Sequence, residues 1–349
     1  MIRVIIVGTG SMAREHVAAY SKIPDVQVVG GVDPNAEALA AFCATHDIPN
    51  AFNSVEAAVE WGGFDAASNV TPDQIHHRTT LPLLAAGKHV LCEKPLASNQ
   101  TDAAEMANAA AKAGVINMVN LSYRNVPALE EAAKLVAAGE IGGVRHFEAS
   151  YLQSWLTQSL WGDWREEAQW LWRLSSAHGS MGVLGDVGVH ILDYVCHAIG
   201  ANADHVSCRL KTFPKAPGDK IADYALDAND SMAMHLTLAN GAMGVIHASR
   251  FASGHINDLS LRIYGTLGGL DVQFINFESS LKIAKGKDLQ TGTWRPVAAP
   301  DIPSNYVRFL DAIRAGKPVQ PDFAHGATLQ RVLDLAVLSS QRNCADQSI

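Results

Sequence analysis

Five short runs near the start of the chain, RVIIVG, VQVVGGVD, DAASNV, HVLCE and VINMVN, are apolar throughout rather than at alternate positions. Strands read this way when both faces of a parallel sheet are covered. Between and after them, Ala-rich stretches near 11–22, 35–46, 54–61, 73–86 and 98–114 carry helical apolar spacing. Strand–helix alternation of this kind predicts a doubly wound parallel sheet with right-handed crossovers.

The pattern changes after about residue 122. A helix is predicted over 126–138, then the strand-like HFEASYLQ, a Trp-rich irregular stretch and a helix over 184–199. Longer, turn-punctuated runs follow: HVSCRLKTF, SMAMHLTLA, AMGVIHASRF, LSLRIYGT, GLDVQFI and SLKIAK. The Asn-Gly in LANGAMG is a hairpin signal. Helices near 303–316 and 322–341 close the chain. The predicted class is α/β, with a parallel-sheet domain over 1–121. Residues 122–349 then form an α+β domain around a large, mostly antiparallel open sheet.

Composition narrows the picture. A chain of 349 residues exceeds one ordinary core, so two domains are expected. No apolar run approaches the roughly 20 residues of a membrane span. The net charge of -8, without a Lys/Arg cluster, speaks against a nucleic-acid partner. Cys43, Cys92, Cys196, Cys208 and Cys344 are scattered and in no CxxC pairing, which predicts free thiols and a reducing, cytoplasmic setting. The opening MIRVIIVGTG lacks a small-residue cleavage site and flows into a glycine motif, so it reads as a strand.

That motif, VGTGSMA, sets Gly8, Gly10 and Ala13 in a G-x-G-x-x-A pattern after a strand, with Ser11 and Met12 opening the helix. Gly8 permits the tight turn, Gly10 lets backbone approach a pyrophosphate, and Ala13 lets helix pack on sheet. The helix start offers N–H groups to phosphates. This predicts a Rossmann dinucleotide-binding domain. Asp33 ends the second strand about 20 residues on, where an acid accepts bonds from a ribose diol. An anion there repels a 2′-phosphate, and no Arg follows, so NAD is preferred to NADP.

In GDVGVHILDY, Asp186 and His190 lie four apart within an apolar run. On a helix they share a face. Hydride transfer from an alcohol needs a base for the hydroxyl proton, and imidazole is suited to that. Asp193 and His197 extend the stripe, but one straight helix cannot wrap a tetrahedral ion, so no metal is expected. Tyr151 and Gln153 end the first strand of the second half, and five tryptophans between 155 and 172 follow it. Aromatic faces suit the C–H faces of a cyclic sugar and carboxamides suit its hydroxyls. The same residues also suit an oligomer interface or a loop anchor.

The stretches ASNVTPDQIH (67–76), VLCEKPLA (90–97), GDVGVH and FLDAIRAGKPVQPD complete a pattern spanning the chain. It resembles the glucose–fructose oxidoreductase, inositol dehydrogenase and MocA family. The resemblance implies that Lys94 of E-K-P sits beside the nicotinamide, with Asp186 and His190 reaching the carbon that exchanges hydride. It implies a cofactor site of Gly8, Gly10, Ser11, Met12, Asp33, Asn69, Thr71, Pro72, His76, Glu93 and Lys94. Tyr123, Arg124, Gln153, Trp155 and Arg173 join Asp186 and His190 as expected substrate residues. Family members often carry three glycines ahead of the Asp, where this chain has Ser180, Met181 and Gly182. The implied roles are a proton acceptor at His190, a polarising ammonium at Lys94 and a positioning carboxylate at Asp186. The ammonium and imidazole are expected to converge on one nicotinamide ring. The expected activity is an NAD-dependent dehydrogenase or reductase of a secondary alcohol on a cyclic polyol or sugar. The alternatives are an NAD-dependent glycosidase using transient C3 oxidation and a non-catalytic sugar-sensing regulator. The expected partners are a small cyclic substrate and further copies of the chain, a homodimer or homotetramer formed through the C-terminal sheet.

Overall fold

The computed structural model describes residues 1–349, the side chain of Ala168 excepted. The chain begins with β1 (Ile2–Val7), α1 (Ser11–Tyr20), β2 (Val26–Val32), α2 (Ala36–Thr45), β3 (Asn50–Phe52), α3 (Val55–Trp61), β4 (Ala66–Asn69), α4 (His76–Ala85), β5 (His89–Cys92), α5 (Gln100–Ala113) and β6 (Asn117–Val119). It continues through α6 (Pro127–Ala137), β7 (Val144–Gln153), α7 (Ala168–Leu171), a π-helical turn at Leu184–Gly188 and α8 (Val189–Ile199). Strands β8 (Ala203–Lys211), β9 (Lys220–Ile221), β10 (Tyr224–Ala225), β11 (Ser231–Leu238), β12 (Met243–Ser249), β13 (Asn257–Gly265), β14 (Gly268–Ile275), β15 (Glu278–Lys285) and β16 (Arg295–Val297) follow. The chain ends with α9 (Asn305–Ala315), α10 (Phe323–Gln341) and β17 (Gln347–Ser348).

Two compact units result: residues 1–121 with 303–330, and residues 122–302 with 331–349. The break at 121/122 falls where the apolar pattern changes. The pattern does not foretell that 303–330 belongs with the first unit, although the sequence suggested one domain over 122–349. The cause is visible in the packing. Phe309 and Leu310 of α9 are fully buried in the core that holds Val4, Ile6, Leu91 and Met118.

In the first unit the strands run β3-β2-β1-β4-β5-β6, every pair parallel. The order reverses between β1 and β4, the point where ligands bind at the carboxyl ends of such sheets. The second unit is built on nine strands, β16-β15-β14-β13-β7-β12-β11-β8-β17. All its neighbours are antiparallel except β7 and β12. Helices α6 and α8 cover one face. Inward positions of β11 and β12 are apolar in strict alternation, as a one-face-covered sheet requires.

One expected helix is interrupted. The 184–199 segment starts as a π-helical turn that contains Asp186, and becomes α-helical at Val189. Such turns recur at functional sites. Gly185 and Gly188 sit inside it because a Cβ there would collide with Met181 Cβ and meet Met232 Sδ at 2.9 Å.

Candidate active site

The glycine loop follows β1 and opens α1. Gly8 has φ +94, and a Cβ there would lie 3.1 Å from the Val70 carbonyl and the Thr71 nitrogen, so glycine lets the β1 and β4 loops touch. A Cβ on Gly10 would meet nothing within 4 Å. Gly10, Ser11 and Met12 are exposed. Helices α2, α3 and α5 are capped by the side chains of Asn35, Ser54 and Asn99, whereas α1 begins without a side-chain cap. Open space above an uncapped helix start, at the switch point of the sheet, fits the pyrophosphate of a dinucleotide.

Asp33 stands at the end of β2 over the same loop. Its Oδ2 accepts the Thr9 N–H at 3.0 Å and the Thr9 hydroxyl at 2.8 Å, and its Oδ1 accepts the Asn35 N–H at 2.9 Å. The carboxylate is thus fixed beside the glycines.

Other expected cofactor residues brace the loops from beneath. Asn69 is fully buried; its Oδ1 accepts from the Thr71 N–H and hydroxyl, and its Nδ2 donates to Thr79 and Thr80. This ties the Thr71-Pro72 turn to α4, leaving Thr71 half-buried and Pro72 exposed. His76 is fully buried, with Nδ1 2.9 Å from the Pro95 carbonyl and Nε2 2.8 Å from the Thr71 carbonyl. Carbonyls only accept, so both contacts are hydrogen bonds only when the ring carries both protons. Burial opposes that charge, but Cys92, Asp73 and the Pro95 carbonyl raise the pKa to about 10. The Lys94–Pro95 peptide is cis.

Glu93 is buried and is no surface ligand in this arrangement. Its Oε1 accepts from His16 at 2.9 Å and from Asn120 at 2.7 Å, and its Oε2 from the Lys94 N–H at 3.3 Å. Burial opposes ionisation, but the His16 and Asn120 bonds and the Lys94 charge hold the carboxyl at about 2. The anion therefore anchors the backbone of Lys94, whose side chain is half-buried. His16, on α1, went unremarked in the sequence. Its inward phase beside Ala13, Val17 and Tyr20 was the available signal.

In the second unit, His190 is 6% exposed and lies at the start of α8. Tyr123 meets its ring edge-on at 4.9 Å between centroids, and Tyr151 lies at 6.4 Å. The two phenols bond each other at 2.5 Å. Asn257 closes a triangle, accepting from Tyr151 and donating to Tyr123, each at 2.6 Å. Gln153 donates to Asn257 at 2.8 Å and accepts from Trp155 Nε1 at 3.2 Å. Burial and the Tyr123 and Asp186 neighbours push the Tyr151 hydroxyl well above the usual phenol range, so it stays protonated. The imidazole thus packs against two phenol rings whose hydroxyls are held by the Asn257 and Gln153 amides. Asn257 was not foreseen, since an isolated Asn at a strand start carries no pattern.

Trp155 is not an open stacking platform. It is 3% exposed, within an apolar cluster with Leu156, Trp164, Leu171, Leu174 and Leu226. Arg173 lies over the Trp172 and Trp170 rings at 4.7 and 5.3 Å. Arg124 forks onto Asp193 at 2.6 and 2.9 Å, both side chains almost wholly buried. His197 bonds Glu130 at 2.8 Å. The Asp193/His197 half of the helical stripe is therefore engaged with the chain itself.

Asp186 is paired with a residue the sequence reading passed over. Arg250 Nη2 lies 3.0 Å from Asp186 Oδ2. Arg250 is the residue after β12, where Gly244, Ile246 and Ala248 occupy the inward phase. A charge continuing that buried phase was the missed signal.

The fold and this site define a two-domain oxidoreductase with a dinucleotide half. Residues 2–121 match the description "Oxidoreductase family, NAD-binding Rossmann fold", and residues 129–271 match "GFO/IDH/MocA C-terminal domain". The chain belongs to the Gfo/Idh/MocA oxidoreductase family. It is similar to levoglucosan dehydrogenase of Pseudarthrobacter phenanthrenivorans, 25% identical over 98% of this chain and 96% of that one. It is 35% identical to 1,5-anhydro-D-fructose reductase of Ensifer adhaerens over 54% of each. Among solved structures, an oxidoreductase domain protein from Kribbella flavida covers all of both chains with a TM-score of 0.88 and 31% identity.

Proposed function

We propose that this chain transfers hydride between NAD and a secondary alcohol or ketone of a cyclic sugar or polyol, of the anhydrosugar, inositol or hexose type. The observation that carries the reading is His190 packed against Tyr123 and Tyr151, two phenols whose hydroxyls are fixed by Asn257 and Gln153. The full-length similarity to levoglucosan dehydrogenase supports it.

Gly8, Gly10, Ser11 and Met12 would hold the pyrophosphate, Asp33 the adenosine ribose, and the Thr71-Pro72 turn the nicotinamide end, with Lys94 beside it. The bound dinucleotide supplies the hydride acceptor or donor. Asp33 fixed over the loop favours NAD, because a 2′-phosphate would meet its charge. His190 takes the hydroxyl proton in oxidation and returns it in reduction. The Lys94 ammonium stabilises developing negative charge on the reacting oxygen. Asp186 accepts a bond from a neighbouring substrate hydroxyl and sets the ring's orientation. The exposed face of the nine-stranded sheet is taken to join a second copy.

The test is NAD reduction by the purified protein against levoglucosan, 1,5-anhydrohexitols, inositols and hexoses, with ketone analogues and NADH run in reverse. At least one cyclic polyol is expected to give saturable turnover. Turnover confined to acyclic alcohols would overturn the substrate class, and none with any alcohol or ketone would overturn the activity.

A further inference from the structure

We propose that Arg250 is a positioning residue of this site, whose buried guanidinium holds Asp186 as an oriented anion that binds substrate and leaves the proton to His190.

The inference rests on the proposed reaction for its consequence and on geometry for its cause. Arg250 is wholly buried. Its Nη1 donates to the Arg173 carbonyl at 3.0 Å and its Nη2 to Asp186 at 3.0 Å, while the group lies 5.1 Å from the Trp155 ring centroid. Its main chain is pinned too, with N–H on the Asp230 carbonyl and carbonyl on the Leu156 N–H. A guanidinium does not shed its proton at ordinary pH, so its charge inside the protein must be offset by an anion. Asp186 is the carboxylate within ion-pair distance of it among the described contacts. Burial and the Arg173 charge work against the Arg250 cation, and Asp186 with Asp230 works for it.

The dependence runs both ways. Protonating Asp186 would strand a buried cation, which costs far more than losing a surface pair. A carboxylate so held is a poor proton acceptor and a good hydrogen-bond acceptor. The π-helical turn places Asp186 there with its side chain 26% exposed, so it retains an outward surface. Among the described contacts, Tyr151, kept protonated, stands near it, His190 lies further along the same helix, and the buried Asp230–Lys215 pair acts on the Arg250 side. This divides the labour of the Asp/His pair, which sequence spacing alone leaves open.

Four proteins test it: the parent, Arg250→Met, Asp186→Asn and the double variant, with Arg250→Lys as a charge-retaining control. Thermal melting needs no substrate. The single changes are expected to couple, the double variant melting no lower than Arg250→Met alone; additive losses would overturn the pair. In steady-state kinetics, Arg250→Met is expected to lose about 10²-fold in kcat/KM for substrate, with NAD affinity unchanged. The acid limb of its pH profile should move up as Asp186 begins to take a proton. An unmoved limb would reduce Arg250 to a packing role and overturn the proposal. Should Arg250→Met fail to fold, Arg250→Lys, which keeps the charge and loses the fork, is expected to show a smaller loss and a smaller shift of the same sign. Parent-like kinetics in it would overturn the positioning claim. If no alcohol is turned over at all, the proposed activity fails while the melting cycle still decides the pair.

Discussion

Lys94 and His76 show how differently two charged residues of the same dinucleotide half act. Lys94 is anchored at its backbone by Glu93, itself fixed by His16 and Asn120, so its ammonium is delivered by a rigid strand end. If it stabilises only developing charge, Lys94→Met should leave NAD affinity within a few-fold and lower kcat by roughly 10²–10³-fold. Titration calorimetry beside steady-state kinetics separates the two, and a parallel loss of NAD affinity would assign Lys94 to binding instead. His76 serves the fold. Its pKa is raised from 6.5 to about 10, so its stabilising contribution is complete below pH 6.5 and is lost as pH rises through about 10. His76→Gln should be less stable near neutrality and should flatten the alkaline fall of the melting temperature between those limits. An unchanged slope would mean that the ring is neutral. Both residues stood in legible motifs, but their difference did not, because a motif gives position along the chain and not what a side chain faces.

At the scale of the element, the π-to-α segment is held by more than its apolar stripe. The Arg124–Asp193 fork ties α8 to the turn just before α6, with both partners buried. Breaking one side of such a pair costs about 3–5 kcal/mol. Arg124→Met should therefore lower the melting temperature by roughly 10 °C, and Arg124→Met with Asp193→Leu should recover much of it. A single variant that melts like the parent would show that the fork is ornamental. The sequence marked this segment as a helix. It could not reveal the π turn, since an inserted residue leaves i, i+4 spacing looking helical while Gly185 and Gly188 make room for close neighbours. It could not assign Arg124 either, because its partner lies 69 residues away.

For the whole chain, strand–helix alternation made the first sheet legible and turn-punctuated runs made the second. What local pattern could not give is destination: α9 returns to the first unit because Asn120 and the His16 ring meet Tyr306, and Phe309 fills that core. The nine-stranded sheet poses the remaining question. Its inner face packs α6 and α8, but its outer face presents Ala233, His235, Met243, Val245 and His247 on central strands, with Met243 59% and Val245 36% exposed. Central apolar positions cannot be protected by edge devices such as bulges or short strands; a second surface would cover them. A second copy meeting this face across a two-fold axis would set each such row against its own equivalent, an isologous contact. Val245→Asp places two carboxylates in that contact and buries both. Light scattering should then report the monomer mass for the variant and twice or four times it for the parent, with the melting temperature of the variant falling on dilution no further than that of a monomer. A monomeric parent would remove the argument, and an undisturbed oligomer in the variant would move the interface to another face.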